Sequence, residues 1–145
     1  MSRAANFAVH VGQDMSTIPV YGVTSRGFMF GSLLAFRMKA PFIPVRLTKK
    51  TPIPRTCVSH SLEYGTSELA LNDLDMPAPD CRAAIVFDDV LATGGTVNAV
   101  VDLLSYSAPN IEILVITLLD IGLITESLSN LRSNSRVALY SYSRG

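Results

Sequence analysis

The chain has 145 residues, 48 % of them hydrophobic and 17 % charged, which is one domain's length with enough apolar material for one packed core and too little for a second full domain. Twelve Lys and Arg offset twelve Asp and Glu, so no global field draws the protein to nucleic acid or to a membrane surface, and any anion site has to be local. The two cysteines, Cys57 and Cys81, sit outside any CxxC or Cys/His cluster; neither a zinc site nor a disulfide framework is expected, and a reducing, cytoplasmic setting fits.

In chain order, residues 2 to 11 place Ala5, Val9 and neighbouring apolar side chains at helical spacing, with His10 on the surface of that helix. The same stretch, MSRAANFAVHVG, lacks the long apolar segment of a secretory signal. IPVYGV follows as a buried strand and ends at Thr24, Ser25, Arg26 and Gly27. Beyond it, Phe28, Phe30, Leu33, Leu34 and Met38 predict an amphipathic helix with a broad apolar face. APFIPVR is the next strand. Between Arg46 and Asp75 the pattern changes, and TCVSHSLEYGTSELAL alternates in twos around Tyr64, Gly65 and Thr66, which predicts a hairpin standing off the sheet.

CRAAIVFDD and IEILVITLLD supply two more core strands, and RVALYSY a last one. The run IEILVITLLDIGLI is shorter than a bilayer requires and is interrupted by Glu112 and Asp120. Strands alternating with helices in this way predict a single α/β domain over residues 1–145, a Rossmann-like parallel sheet flanked by helices.

The chemistry concentrates in VFDDVLATGGTVNAV, residues 86 to 100. In an open α/β sheet, ligands collect at the carboxyl ends of strands, where the next helix offers unpaired N–H groups. Gly94 and Gly95 let backbone approach a ligand closely. Thr93 and Thr96 add hydroxyl donors, and with the helix dipole they form a phosphate cradle. Phosphate alone would be repelled by Asp88 and Asp89, so the carboxylates need a partner that donates. The vicinal hydroxyls of a ribose carrying a 5′-phosphate satisfy both halves. Neither GxxxxGK[ST] nor GxGxxG is present.

VFDDVLATGGT resembles the phosphoribosyl pyrophosphate motif of type I phosphoribosyltransferases. GVTSRGFMFGSLLA followed by APFIPVR resembles the pyrophosphate loop, helix and next strand of the adenine phosphoribosyltransferases, and HSLEYGTSELAL resembles that family's catalytic hairpin. The likeness runs from about Val20 to about Leu119. It implies the type I phosphoribosyltransferase fold, with a projecting β-hairpin and flexible loop over residues 46–75. It also implies transfer of the phosphoribosyl group of phosphoribosyl pyrophosphate to adenine, giving AMP and pyrophosphate, a purine salvage reaction.

By that resemblance, Asp88 and Asp89 hold the ribose hydroxyls, Ala92, Thr93, Gly94, Gly95 and Thr96 wrap the 5′-phosphate, and Ser25, Arg26 and Gly27 hold the pyrophosphate. The family's non-proline cis peptide falls at Thr24 and Ser25. Mg2+ enters mainly through substrate and water, and Arg26 stabilises the leaving group. Arg46 and Lys50 reach across a homodimer interface to the partner's pyrophosphate. Glu63 assists proton transfer at the purine, beside Tyr64, while His60 is a hairpin side chain outside the catalysis.

The chain departs from the family in three places. Thr24 stands where a carboxylate commonly precedes the pyrophosphate loop. RLTKKTPIPR lacks the flexible loop's glycines. The N-terminal hood that clamps adenine is expected to be absent, since Met1 falls near the helix that follows it. A second functional class therefore stands beside the enzyme: a catalytically weak or inactive module of the same fold, serving nucleotide binding or protein interaction.

Overall fold

The structure, a computed structural model, describes residues 2–23, 26–47, 53, 55–62 and 65–144, with the side chains of 2, 47, 57–62, 65–67 and 144 left aside. Its elements are α1 (Ser2–Val11), β1 (Val20–Val23), α2 (Arg26–Met38), β2 (Phe42–Leu47), β3 (Arg55–Leu62), β4 (Gly65–Asn72), β5 (Ala83–Leu91), α3 (Gly95–Ser107), β6 (Glu112–Asp120), α4 (Glu126–Ser133) and β7 (Val137–Arg144). They build one seven-stranded sheet in the order β3-β4-β2-β1-β5-β6-β7. The pairs β1 with β2, β1 with β5, β5 with β6 and β6 with β7 are parallel, as the alternation of strands and helices predicts.

Two packed layers sandwich the sheet because successive strand residues face opposite sides. Ala84 and Val86 of β5 join Val97, Val100 and Leu104 of α3 and Leu128 and Leu131 of α4 in one core. Ala83, Ile85 and Phe87 of the same strand join Ala4, Phe7 and Val11 of α1 and Ala35 and Met38 of α2 in the other. Strand β5 therefore carries buried apolar residues at consecutive positions 83–87, the pattern of a parallel strand buried on both faces.

Three expectations are corrected. In α1 the buried stripe is Ala4, Phe7, Ala8 and Val11, and Val9 is exposed; the helix turns its larger ring inward, so the register shifts from Ala5 and Val9. In α2 the buried residues are Gly27, Gly31, Ala35 and Met38, while Phe30 and Leu33 face solvent. Small side chains go inward there because the helix lies close on the sheet: a Cβ on Gly31 would stand 3.1 Å from Phe42 Cε1 and 3.5 Å from Gly22 Cα. The hairpin does not simply stand off the sheet. Strand β4 pairs antiparallel with β2 at Arg46 with Ala70 and Leu47 with Leu69, so the root of the hairpin extends the sheet.

Gly22 tests the close packing. A Cβ there would meet Phe42 Cε1 at 2.6 Å and the Gly27 carbonyl oxygen at 3.0 Å. Valine favours strands, yet Gly22→Val is expected to lose about 1–3 kcal/mol of stability through overpacking. Urea unfolding monitored by circular dichroism measures it, and an unchanged midpoint would refute the packing argument.

Candidate functional site

The chain order of the parallel strands reverses between β1 and β5, since β2 lies outward of β1 on one side while β6 and β7 lie outward of β5 on the other. Ligands of open α/β sheets bind in the crevice outside the strand ends at such a point. The segments leaving the two strands are residues 24–27 after β1 and residues 92–95 after β5, which are the segments that carry the expected anion contacts.

Strand β5 runs to Leu91, so Asp88 and Asp89 belong to its pleated end and the loop shortens to Ala92, Thr93 and Gly94. Being adjacent on a strand, the two carboxylates face opposite ways. Asp88 lines a hollow of about 50 Å3 together with Val90, Leu91, Ala92, Thr93, Gly94, Thr96 and Val97. Asp89 turns toward the start of α2, where its Oδ2 lies 2.8 Å from Arg26 Nε. The backbone N–H of Asp89 donates to Asp88 Oδ1 at 2.8 Å, and that of Val90 to Asp89 Oδ1 at 2.9 Å. Gly27 makes this approach feasible, since a Cβ there would stand 3.0 Å from the Phe87 carbonyl oxygen and 3.5 Å from Asp88 Cα.

Asp88 is only 8 % exposed. Burial, then the hydrogen bonding and charge of the Asp89 carboxyl, push its pKa up from 3.8 to about 7, with the Asp89 amide and the Arg26 guanidinium pulling the other way. The side chain thus changes its charge near neutral pH.

The turn itself is built as a helix entry. Gly94 takes a left-handed conformation (φ 82°) as the residue preceding α3, where a side chain would be strained. Gly95 donates its N–H to Thr93 Oγ1 at 3.3 Å, and Asn98 donates to the Gly94 carbonyl at 2.9 Å. The first turn of α3 stands at the hollow's edge, with Thr96 and Val97 in its lining, and the positive end of a helix dipole there favours an anion.

The structure thus brings Arg26, Gly27, Asp88, Asp89, Ala92, Thr93, Gly94, Gly95 and Thr96 to one end of two adjacent strands. Arg46 lies on β2, separated from β5 by β1, and its guanidinium stands over the Phe28 ring, 5.8 Å from the centroid. Thr24, Ser25, Lys50, Glu63 and Tyr64 lie outside the described residues. His10 is on the surface of α1, its Nε2 3.1 Å from Glu112 Oε2.

Sequence reasoning passed over α4 and its entry. Thr125 caps the helix by accepting from Leu128 N at 3.1 Å, and its hydroxyl donates to the Thr93 carbonyl. The available signal was TESL, a capping residue followed by an acid in the first helical turn.

Fold and hollow together set a buried carboxylate and a helix N-terminus at the switch point of a doubly covered parallel sheet. The chain belongs to the phosphoribosyl transferase domain family, whose model matches residues 6–122. An adenine phosphoribosyltransferase of Synechocystis is 46 % identical over 93 residues, covering 64 % of this chain and 53 % of that protein. The chain spans about half the length of such curated relatives. Among solved structures, adenine phosphoribosyltransferase from Rhodothermus marinus superposes with a TM-score of 0.75 at 28 % identity, covering 99 % of this chain and 78 % of the other. The enzyme from Trypanosoma brucei, solved in complex with AMP, pyrophosphate and ribose-5-phosphate, shares the fold with a TM-score of 0.73 at 20 % identity, covering 88 % and 56 %.

Asp88 gives the site a pH signature. Because folding raises its pKa, its contribution to stability is fully present below 3.8 and is lost as pH rises through about 7. Asp88→Asn removes that loss. The variant is expected to match the native chain in thermal stability near pH 4 and to exceed it at pH 8 by on the order of 3 kcal/mol. Thermal melts across that range decide it, and parallel profiles would show that Asp88 titrates normally.

Proposed function

We propose that this chain transfers the phosphoribosyl group of phosphoribosyl pyrophosphate to adenine, forming AMP and releasing pyrophosphate, as a cytoplasmic purine salvage enzyme. The observation that carries the reading is Asp88 lining the same hollow as the Ala92–Thr96 turn, so that a sugar-hydroxyl acceptor and a phosphate cradle share one cavity. The naming of curated relatives as adenine phosphoribosyltransferases supports the choice of base.

In this reading the 5′-phosphate sits on the turn and the start of α3, and Asp88 accepts from a ribose hydroxyl. Asp89 accepts from the other hydroxyl while holding Arg26. A guanidinium has five N–H donors in a fixed fork. The Arg26 side chain is 80 % exposed, so its remaining donors are available to the leaving diphosphate, where negative charge grows as the bond at the anomeric carbon breaks. Ser25, with Gly27, would complete the diphosphate contacts. Glu63, beside Tyr64, would take or return the purine proton.

Among the described residues no three His, Cys, Asp or Glu side chains converge as a metal group. Mg2+ would be held mainly by substrate oxygens and water, with at most one carboxylate of the Asp88 and Asp89 pair. When bound, the ion neutralises diphosphate charge.

A homodimer is proposed as well, with Arg46 and Lys50 directed to the partner's diphosphate. The outward face of α2 supports it. Met29 is 62 % exposed, Leu33 59 % and Phe36 84 %, an apolar stripe at helical spacing, and a two-fold partner would cover it on both copies at once.

Two measurements test the proposal. Radiolabelled adenine with phosphoribosyl pyrophosphate and Mg2+ is expected to give AMP. Replacing both Asp88 and Asp89 by Asn is expected to weaken AMP binding at least tenfold by calorimetry, since hydrogen bonds to a charged group contribute about 1.5–3 kcal/mol each. Binding without turnover would favour the catalytically weak module, and unchanged binding would remove the pocket. Light scattering after size exclusion is expected to give the mass of two chains, and a monomer at micromolar concentration would withdraw Arg46 and Lys50 from the site.

A further inference from the structure

The segment between β6 and the end of α4 is fastened to the phosphate turn from outside the hollow. Thr125 does two things with one hydroxyl: its oxygen accepts from Leu128 N at 3.1 Å, and its hydrogen is donated to the Thr93 carbonyl. Leu128 makes a second contact. The place where Gly94 lacks a Cβ is 2.7 Å from Leu128 Cδ2 and 2.8 Å from Cγ, and Leu128 is fully buried. The start of the segment is tied as well. Ile121 N donates to the Leu91 carbonyl at 3.1 Å, and Asp120 Oδ1 accepts from Gly122 N at 2.9 Å. Across the segment, Asp120 Oδ2 faces Arg132 Nη2 at 3.4 Å. The connection is thus held at both ends and pressed on the turn in the middle.

A trans peptide points its C=O and the following N–H in opposite directions. Fixing the Thr93 carbonyl on Thr125 therefore fixes the Gly94 N–H on the other side. Thr93 and Gly94 line the hollow, and Thr125 is not among its lining residues. Without this tie, rotation of the Thr93–Gly94 peptide would bring a carbonyl oxygen toward a bound phosphate and take a donor away.

We propose that Thr125 and Leu128 are positioning residues for the phosphate turn, holding the Thr93–Gly94 peptide with its donor toward the ribose 5′-phosphate. The inference rests on the reading that this turn holds that phosphate. Neither residue touches the ligand. Their effect reaches it through Thr93 and Gly94.

The test compares Thr125→Val, which keeps the shape and loses the donor, with Thr125→Ser, which keeps the donor. Calorimetry with AMP and with adenosine isolates the phosphate. Thr125→Val is expected to weaken AMP about tenfold, the scale of one hydrogen bond, with adenosine unchanged within twofold and Thr125→Ser within threefold of the native chain. A role confined to capping α4 lowers overall stability and leaves the ratio of AMP to adenosine affinity unmoved, which would overturn the proposal.

Amide hydrogen exchange at Gly94, Gly95 and Thr96 in the ligand-free protein supplies an arm independent of the function. Faster exchange in Thr125→Val than in Thr125→Ser supports the tie, and equal exchange overturns it. If the native chain binds AMP no better than adenosine, the phosphate reading of the turn fails and the positioning proposal falls with it, while the exchange arm still reports whether the tie exists. Should Thr125→Val not fold, Leu128→Met, which keeps the burial and moves the methyls off Gly94, is expected to show the same selective loss for AMP, and equal losses for the two ligands would refute the proposal.

Discussion

The close seat of α2 on the end of β5 is the constraint from which the site follows. With no Cβ on Gly27, the first turn of the helix reaches within ordinary contact of the Phe87 carbonyl and the Asp88 backbone. That approach sets Arg26 on Asp89 at 2.8 Å, and it covers Asp88 so that the carboxyl is nearly out of water. A bulkier residue at 27 would lift the helix and loosen both. The same closeness explains the small stripe Gly27, Gly31 and Ala35 along the buried side of α2, and why Met29, Leu33 and Phe36 face outward.

The switch in strand order then gives this junction its function. Two chain segments leave the sheet side by side at β1 and β5, one bearing a cation and the other a cradle of backbone N–H groups. Neither segment alone makes a ligand site. A helix N-terminus offers donors for any anion, and an ion pair at a surface contributes little to stability by itself. Brought together by the sheet, they set Arg26 on Asp89, next to the hollow that residues within 88–97 line.

Much of this was legible in the sequence, for reasons that differ by element. The core strands were readable because parallel strands buried on both faces are continuous apolar runs bounded by polar turns, as in AAIVF and ILVI. The Asp, Thr and Gly cluster was readable because such residues coincide seldom at a strand-to-helix junction. The inward face of α2 was not, because apolar counting assigns large side chains to the interior, whereas a helix in tight contact with a sheet buries its small ones. The register of α1 failed by one step for a related reason: Phe7 wins the interior over Val9 through area, with Ala4, Ala8 and Val11 following at helical spacing. Helix α4 escaped altogether, since ESLSNLRS carries only Leu128 and Leu131 to mark its buried side. Its importance lies in a hydroxyl-to-carbonyl contact, which no periodicity records. The role of Glu63 rests on SLEYG alone.

The charges within the site also resolve how a chain with no net charge can keep a local seat for an anionic ligand. Burial raises the Asp88 pKa to about 7, which favours its neutral form more than in an exposed carboxylate, and Asp89 is paired with Arg26. In the absence of ligand the pair of acids therefore presents much less than two negative charges to the phosphate turn beside it. On the proposed function, a ribose hydroxyl that donates to Asp88 would favour its ionised form, and a diphosphate would compete with Asp89 for Arg26. Burial of Asp88 is thus more than a cost of packing α2 closely: on the proposed function it would lower the repulsion that two ionised carboxylates direct at a 5′-phosphate.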